Sequence, residues 1–104
     1  QDYGRKHSTF SPFFGRTAAT ITGLTFLAKA GRAKIIPYSY HRKGNSQQYI
    51  LEFYEPLPNK NSEEEDAANY NTWLESVIRK YPAQYLWLHK RFKTQSNPEE
   101  PSPY

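Results

Sequence analysis

The chain has 104 residues, enough for one domain and close to the size at which a single hydrophobic core gives only marginal stability. Its 14 Lys and Arg against 10 Asp and Glu leave a formal charge of +4, and the absence of cysteine excludes a disulfide framework and a thiolate nucleophile. There is no run of about eighteen apolar residues and no signal-peptide pattern, so no segment reads as a bilayer-spanning helix, while association with a membrane face stays open.

The acids cluster at residues 63–66 and near the C-terminus, so the rest of the surface is more basic than the total suggests. Such a surface fits an anionic partner: nucleic acid, phospholipid headgroups or an acidic carrier protein. An aromatic share of 16% moves much of the apolar content into rings, several with polar tips, which suits interfaces. The chain contains no methionine and begins Gln-Asp-Tyr-Gly, which reads as a piece of a longer protein.

In chain order, residues 1–15 read as a structured loop, punctuated by Gly4, Pro12 and Gly15 and weighted by Phe10, Phe13 and Phe14. From Thr17 to Ala30, Ala18, Ile21, Leu24, Leu27 and Ala28 recur at helical spacing, and Gly31 stands where a left-handed C-cap is expected. Residues 33–40 and 48–54 predict a β-hairpin around Lys-Gly-Asn-Ser, with Pro37 arguing for an edge position or a bulge. Residues 56–61 read as a linker. Ser62 with Glu65 then forms a capping box, and Tyr70, Trp73, Leu74, Val77, Ile78 and Tyr81 make a continuous apolar stripe expected in the core.

The segment 82–94 opens with Pro82, suited to a first helical position, and predicts a short basic, aromatic helix. Tyr85, Leu88 and Phe92 have core-facing spacing, while Gln84, Trp87, Lys90 and Arg91 surround an indole with donors. Arginine suits bidentate contact with phosphate or carboxylate, so Arg91 is the first candidate for an anion. Such a helix suits core closure, a membrane surface or an anionic ligand. Residues 95–104, with three prolines and two adjacent glutamates, read as an irregular tail, and no internal repeat is visible. The order helix, strand, strand, helix, helix places the chain in the α/β class. One hairpin is too little sheet for these helices, so further strands are expected from outside this window.

No complete catalytic site is visible. Five positions beyond His7, His41 and His89 stand Pro12, Ser46 and Thr94, so there is no His-x4-Asp/Glu dyad. Metal-spaced histidines, a Gly-rich phosphate loop and a Gly-x-Ser-x-Gly elbow are also absent. Two constellations remain. Asp2 precedes a turn, either as an Asx-turn former or as a polar group exposed in a cleft. Phe13, Phe14 and Gly15 lead into a helix start carrying Arg16 and Thr17, where an anion or acyl carbonyl oxygen would fit and where capping by Thr17 is the plainer reading. One reading of the whole is therefore a small basic-aromatic module that binds nucleic acid or anionic lipid.

Several segments together resemble the late acyltransferases of lipid A biosynthesis, the lauroyl and myristoyl transferases of the lysophospholipid acyltransferase superfamily. They are Gln-Asp-Tyr-Gly at 1–4, Phe-Phe-Gly with Ala-Ala-Thr at 13–20, Leu-Ala at 27–28, Ile-Pro at 36–37 and Gln-Tyr-Leu-Trp-Leu-His-Lys-Arg-Phe-Lys-Thr at 84–94. The resemblance is to the family's C-terminal portion. It implies a glycerol-3-phosphate/lysophospholipid acyltransferase-like α/β fold, a mixed sheet flanked by helices, with 1–94 in one domain and 95–104 as tail. It also implies transfer of a fatty acyl chain from acyl carrier protein to a hydroxyl of a lipid A precursor at the cytoplasmic face of the bacterial inner membrane. No cofactor, metal or nucleic acid is implied. The family's His-x4-Asp/Glu motif is expected upstream of Gln1, which leaves the chain alone without its catalytic base. By position in the matching motifs, Asp2, Phe13, Phe14, Gly15, Arg16, Trp87, His89, Arg91 and Lys93 are the candidate substrate-binding residues, with Trp87, Arg91 and Lys93 expected as a rim facing an anionic substrate or its carrier.

Overall fold

The computed structural model describes residues 2, 4–58 and 62–104. In chain order it contains β1 (Ser8–Phe13), β2 (Arg16–Ile21), α1 (Gly23–Gly31), β3 (Tyr38–Arg42), β4 (Tyr49–Phe53) and α2 (Glu63–Lys80), followed by one 3₁₀ turn at Pro82–Gln84. The sheet differs from the expected mixed one. Among the described residues there are two separate antiparallel pairs, β1 with β2 and β3 with β4.

The first pair replaces the expected loop and the first turn of the expected helix. β1 and β2 run in register from Ser8↔Ile21 to Phe13↔Arg16 and close on Phe14-Gly15. Both loop residues have positive φ, 50° and 74°, the geometry that matches the twist of the flanking strands. A phenylalanine in the first position hides this turn from sequence patterns, which look for Asn-Gly or Asp-Gly. Thr17 consequently lies in a strand and caps no helix. The helix starts at Gly23, and its left-handed terminal residue is Arg32 (φ 48°), one position beyond Gly31. There the Ala33 N–H reaches the Ala28 carbonyl at 2.9 Å.

α2 follows the predicted capping: the Ser62 hydroxyl accepts from the Glu65 N–H at 3.4 Å. Glu63, Glu64, Glu65 and Asp66 sit in its first turn and Arg79 and Lys80 in its last, both favourable to the helix dipole. It packs along β1, and the core is small: Phe13, Ala18 and Ile78, with Phe14, Leu74, Tyr85 and Phe92 partly buried against them. Polar ties reinforce it. Fully buried Asn71 donates from Nδ2 to the Pro12 carbonyl (3.2 Å) and to Thr20 Oγ1 (2.9 Å), and the Thr25 hydroxyl donates to Asp66 Oδ2 at 2.7 Å. Of the six-residue apolar stripe, only Ile78 is buried; Tyr70, Trp73, Leu74, Val77 and Tyr81 are left half-covered.

The second hairpin forms, with β4 inside the expected 48–54 but β3 shifted: it begins at Tyr38, after Pro37, instead of at 33, and runs on to Arg42. Its turn is fixed by the Ser46 hydroxyl and N–H, both donating to the Lys43 carbonyl, and by Gly44 at φ 58°. The linker is tied down at its start by an isolated bridge between Ile35 and Leu57; positions 59–61 fall outside the described residues.

The predicted helix over 82–94 does not form. After the single 3₁₀ turn the chain proceeds through tight turns, with Trp87 N–H to Tyr85 O, His89 N–H to Leu86 O and Arg91 N–H to His89 O. The Trp87 indole donates at 2.7 Å to the Pro82 carbonyl, an acceptor that the first turn of an α-helix would use. Tyr85 and Phe92 still meet the core, whereas Leu88 is 89% exposed.

Candidate functional site

Two arrangements stand out: a polar clasp that joins the chain's two ends, and an apolar cleft between α2 and β3.

The clasp is centred on Asp2. Its Oδ1 accepts from the Gly4 N–H (2.8 Å), which closes an Asx turn, and from the Thr94 hydroxyl (2.8 Å), while Oδ2 accepts from the Thr94 N–H (2.6 Å). The Asp2 N–H donates to His89 Nε2 at 3.1 Å. Burial works against the Asp2 carboxylate, but the Thr94 and Gly4 donors and the nearby Arg91 charge outweigh it and hold the carboxyl below its ordinary range.

Arg91 lies inside, not on a rim. It is 5% exposed, donating to the Ala19 carbonyl (2.6 Å) and to Thr20 Oγ1 (3.1 Å) with its guanidinium over the Phe13 ring. Burial pulls its pKa down, against the opposing influence of Tyr85 and Asp2. The expected rim of Trp87, Arg91 and Lys93 is therefore split: Trp87 is exposed with its ring edge-on to Tyr85, Lys93 is exposed, and Arg91 pins β2. Sequence reasoning missed Thr94 and Thr20. Thr94 closes the last matching motif and was the available signal.

The first hairpin's candidates separate in the same way. Phe13 is in the core, and Phe14 lies edge-on to it with Arg79 stacked over its ring. Gly15 and Arg16 are exposed at a polar hollow of about 240 Å³ shared with Thr17, Gln95, Ser96 and Glu100. None of the four lines the apolar cleft.

That cleft has a volume of about 590 Å³. Tyr70, Trp73, Leu74 and Val77 of α2 line it together with residues 35–40 and, from neighbouring segments, Leu24, Leu57 and Tyr85. Four half-covered residues of the α2 stripe thus form its wall. No chemistry sits there. Among the described residues no group of His, Cys, Asp and Glu is placed to hold a metal; His41 is stacked at 3.9 Å on Tyr81, His89 is in the clasp, and His7 is exposed just before β1.

The described residues form a small α/β unit with a basic, aromatic C-terminal segment and an apolar cleft. Residues 1–94 match the family model for the bacterial lipid A biosynthesis acyltransferases, and the chain belongs to that family. It is similar to the lipid A biosynthesis palmitoleoyltransferase of Escherichia coli (strain K12), 38% identical over 96 residues, covering 90% of this chain and 31% of that protein. The lauroyltransferase of the same strain is 40% identical over 96 residues (89% and 31%), and a lipid A biosynthesis acyltransferase of Haemophilus influenzae (strain ATCC 51907 / DSM 11121 / KW20 / Rd) is 36% identical over 107 residues (99% and 34%). The chain spans about a third of the length of the curated relatives it matches.

Proposed function

We propose that this chain is the C-terminal portion of a lipid A acyltransferase that moves a fatty acyl chain from acyl carrier protein to a hydroxyl of a lipid A precursor at the cytoplasmic face of the inner membrane. Residues 1–94 form part of one acyltransferase domain of the glycerol-3-phosphate/lysophospholipid acyltransferase type, and 95–104 its tail. The observation that carries the reading is the match over residues 1–94, from the Asp2 turn to Thr94, whose two ends the clasp joins.

The base that deprotonates the acceptor hydroxyl lies upstream of Gln1, in a His-x4-Asp/Glu motif. Support comes from His7, His41 and His89: among the described residues none of their imidazoles is hydrogen-bonded to a carboxylate. The chain's own role is to hold the substrate side of the site. Exposed Arg16 and Lys93 suit the phosphates of the precursor or the acidic surface of the carrier, and the exposed Trp87 ring, its N–H bonded to the Pro82 carbonyl, offers an apolar face. Asp2, His89 and Arg91 fix the segment that carries Trp87 and Lys93.

The test compares acyl transfer from acyl-acyl carrier protein by the chain alone and by the polypeptide extended upstream of Gln1. The extended form is expected to turn over and the short chain to be silent. Equal turnover by the short chain would sink the assignment of the base to the upstream part.

A further inference from the structure

The β3–β4 ladder pairs residues whose numbers sum to a constant, from Tyr38↔Phe53 to Arg42↔Tyr49. The flanking hydrogen bonds, Tyr54 N–H to Pro37 O and Lys43 N–H to Gln48 O, fix which pairs exchange bonds: Pro37, Ser39, His41 and Lys43 turn their backbone groups toward β4. Tyr38, Tyr40 and Arg42 therefore turn theirs to the opposite edge. At Arg42 that edge is closed by a side chain imitating a strand, since Gln84 accepts from the Arg42 N–H at 2.7 Å and donates to its carbonyl at 3.1 Å. At Tyr38 and Tyr40 no partner is present among the described residues. The apolar cleft opens beside these two positions; none of β4's residues lines it, and α2 supplies its wall.

We infer that the open edge of β3, at Tyr38 and Tyr40, receives an additional β-strand from the upstream part of the full acyltransferase polypeptide, whose alternate side chains fill the cleft against Tyr70, Trp73, Leu74 and Val77. This rests on the reading that the chain is one portion of a longer acyltransferase. The matched relatives are about three times as long as the stretch they share with this chain, so ample polypeptide exists to supply the strand. An exposed edge with a row of unpaired groups is a template for strand addition, and alternate side chains entering an apolar hollow give it a register. A strand in this place also covers the stripe that the helical periodicity marks for burial. Gln84 sets the limit of pairing, so the added strand is short and apolar on the face toward α2.

Amide hydrogen exchange tests this residue by residue. In the chain alone, the Tyr38 and Tyr40 amides should exchange far faster than those of Ser39 and His41. In the polypeptide extended upstream of Gln1 they should slow by about a hundredfold or more, as expected for amides moved into a cooperative sheet. Tyr40→Pro gives a second readout when compared with Tyr40→Ala, which loses the same ring and its edge-on contact with Tyr49: the proline removes in addition only an outward N–H, so the two variants should melt alike in the chain alone, while in the extended form Tyr40→Pro melts lower than Tyr40→Ala. The inference is overturned if both amides exchange equally fast in the two forms. It is also overturned if they are protected in the chain alone in a concentration-dependent way, which makes a second copy the occupant, or only after acyl substrate is added. Acyl transfer by an extended form with unprotected amides defeats the strand and leaves the functional reading intact; protected amides without acyl transfer do the reverse.

Discussion

Arg91 shows how a residue type can point correctly to two hydrogen bonds and wrongly to their acceptors. Its Nη1 and Nη2 each donate into β2 instead of to a phosphate, and replacing it leaves the Ala19 carbonyl and Thr20 hydroxyl short of a partner in the interior. Arg91→Lys is expected to lower stability by roughly 2 kcal/mol in urea unfolding, because one ammonium cannot reproduce the fork. A change within the error of the measurement would show that the fork is dispensable. Asp2 gives a pH signature. Its carboxyl pKa lies below the ordinary value of 3.8, so the clasp's contribution is fully present above that pH and is lost as pH falls through the lowered folded-state value. The stability difference between the native chain and Asp2→Asn should therefore be constant from neutral pH down to about 4 and shrink below it. A difference that fades between pH 7 and 5 would assign it to another group.

At the scale of elements, the first hairpin depends on backbone conformation at two positions. Nothing lies within 4 Å of a Cβ placed on Gly15, so Gly15→Ala meets no clash and should cost about 1 kcal/mol from its positive φ alone, measured by thermal unfolding. No loss would mean that the turn adopts another geometry. α2 was legible because its signals are local: a serine cap, acids ahead of the apolar stripe and bases at the end. The hairpin at 8–21 was not, since Ala18, Ile21, Leu24 and Ala28 mimic one helical face across a strand and a helix, and Thr22-Gly23 divides them without a strong stop. The segment 82–94 misled for a different reason. Its propensity is helical, but bonds from the Trp87 indole and Arg91 and to Asp2 hold it in turns, and these long-range contacts outweigh a preference worth only tenths of a kcal/mol per residue.

At the scale of the whole molecule, the chain is thin and open. Its extents are 44 × 39 × 19 Å, and 19 Å is about two stacked layers of secondary structure. The accessible surface is 7704 Å², where a compact monomer of this mass would show about 6,100 Å². The radius of gyration, 14.9 Å, likewise exceeds the roughly 13 Å of a compact domain of this length. The excess includes the outer face of the second hairpin, where Tyr38, Tyr40, Tyr49, Leu51 and Phe53 are all more than half exposed. The chain alone should bind an apolar dye such as ANS at neutral pH, and the extended polypeptide should bind markedly less per molecule. Equal dye binding by both would mean that the bare surface serves something other than intramolecular packing.

The sequence by itself determined α2, the pairing of the second hairpin, the Asx turn at Asp2 and the family, because each is written in residues close together in the chain or in ordered motifs. Tertiary structure alone decided that Arg91 faces inward, that the C-terminal motif is a strap and no helix, and that the apolar stripe of α2 borders an open edge of β3. Those outcomes depend on partners 70 or more residues away, such as Ala19 for Arg91 and Asp2 for Thr94, or on the absence of a covering layer, and no local pattern encodes either.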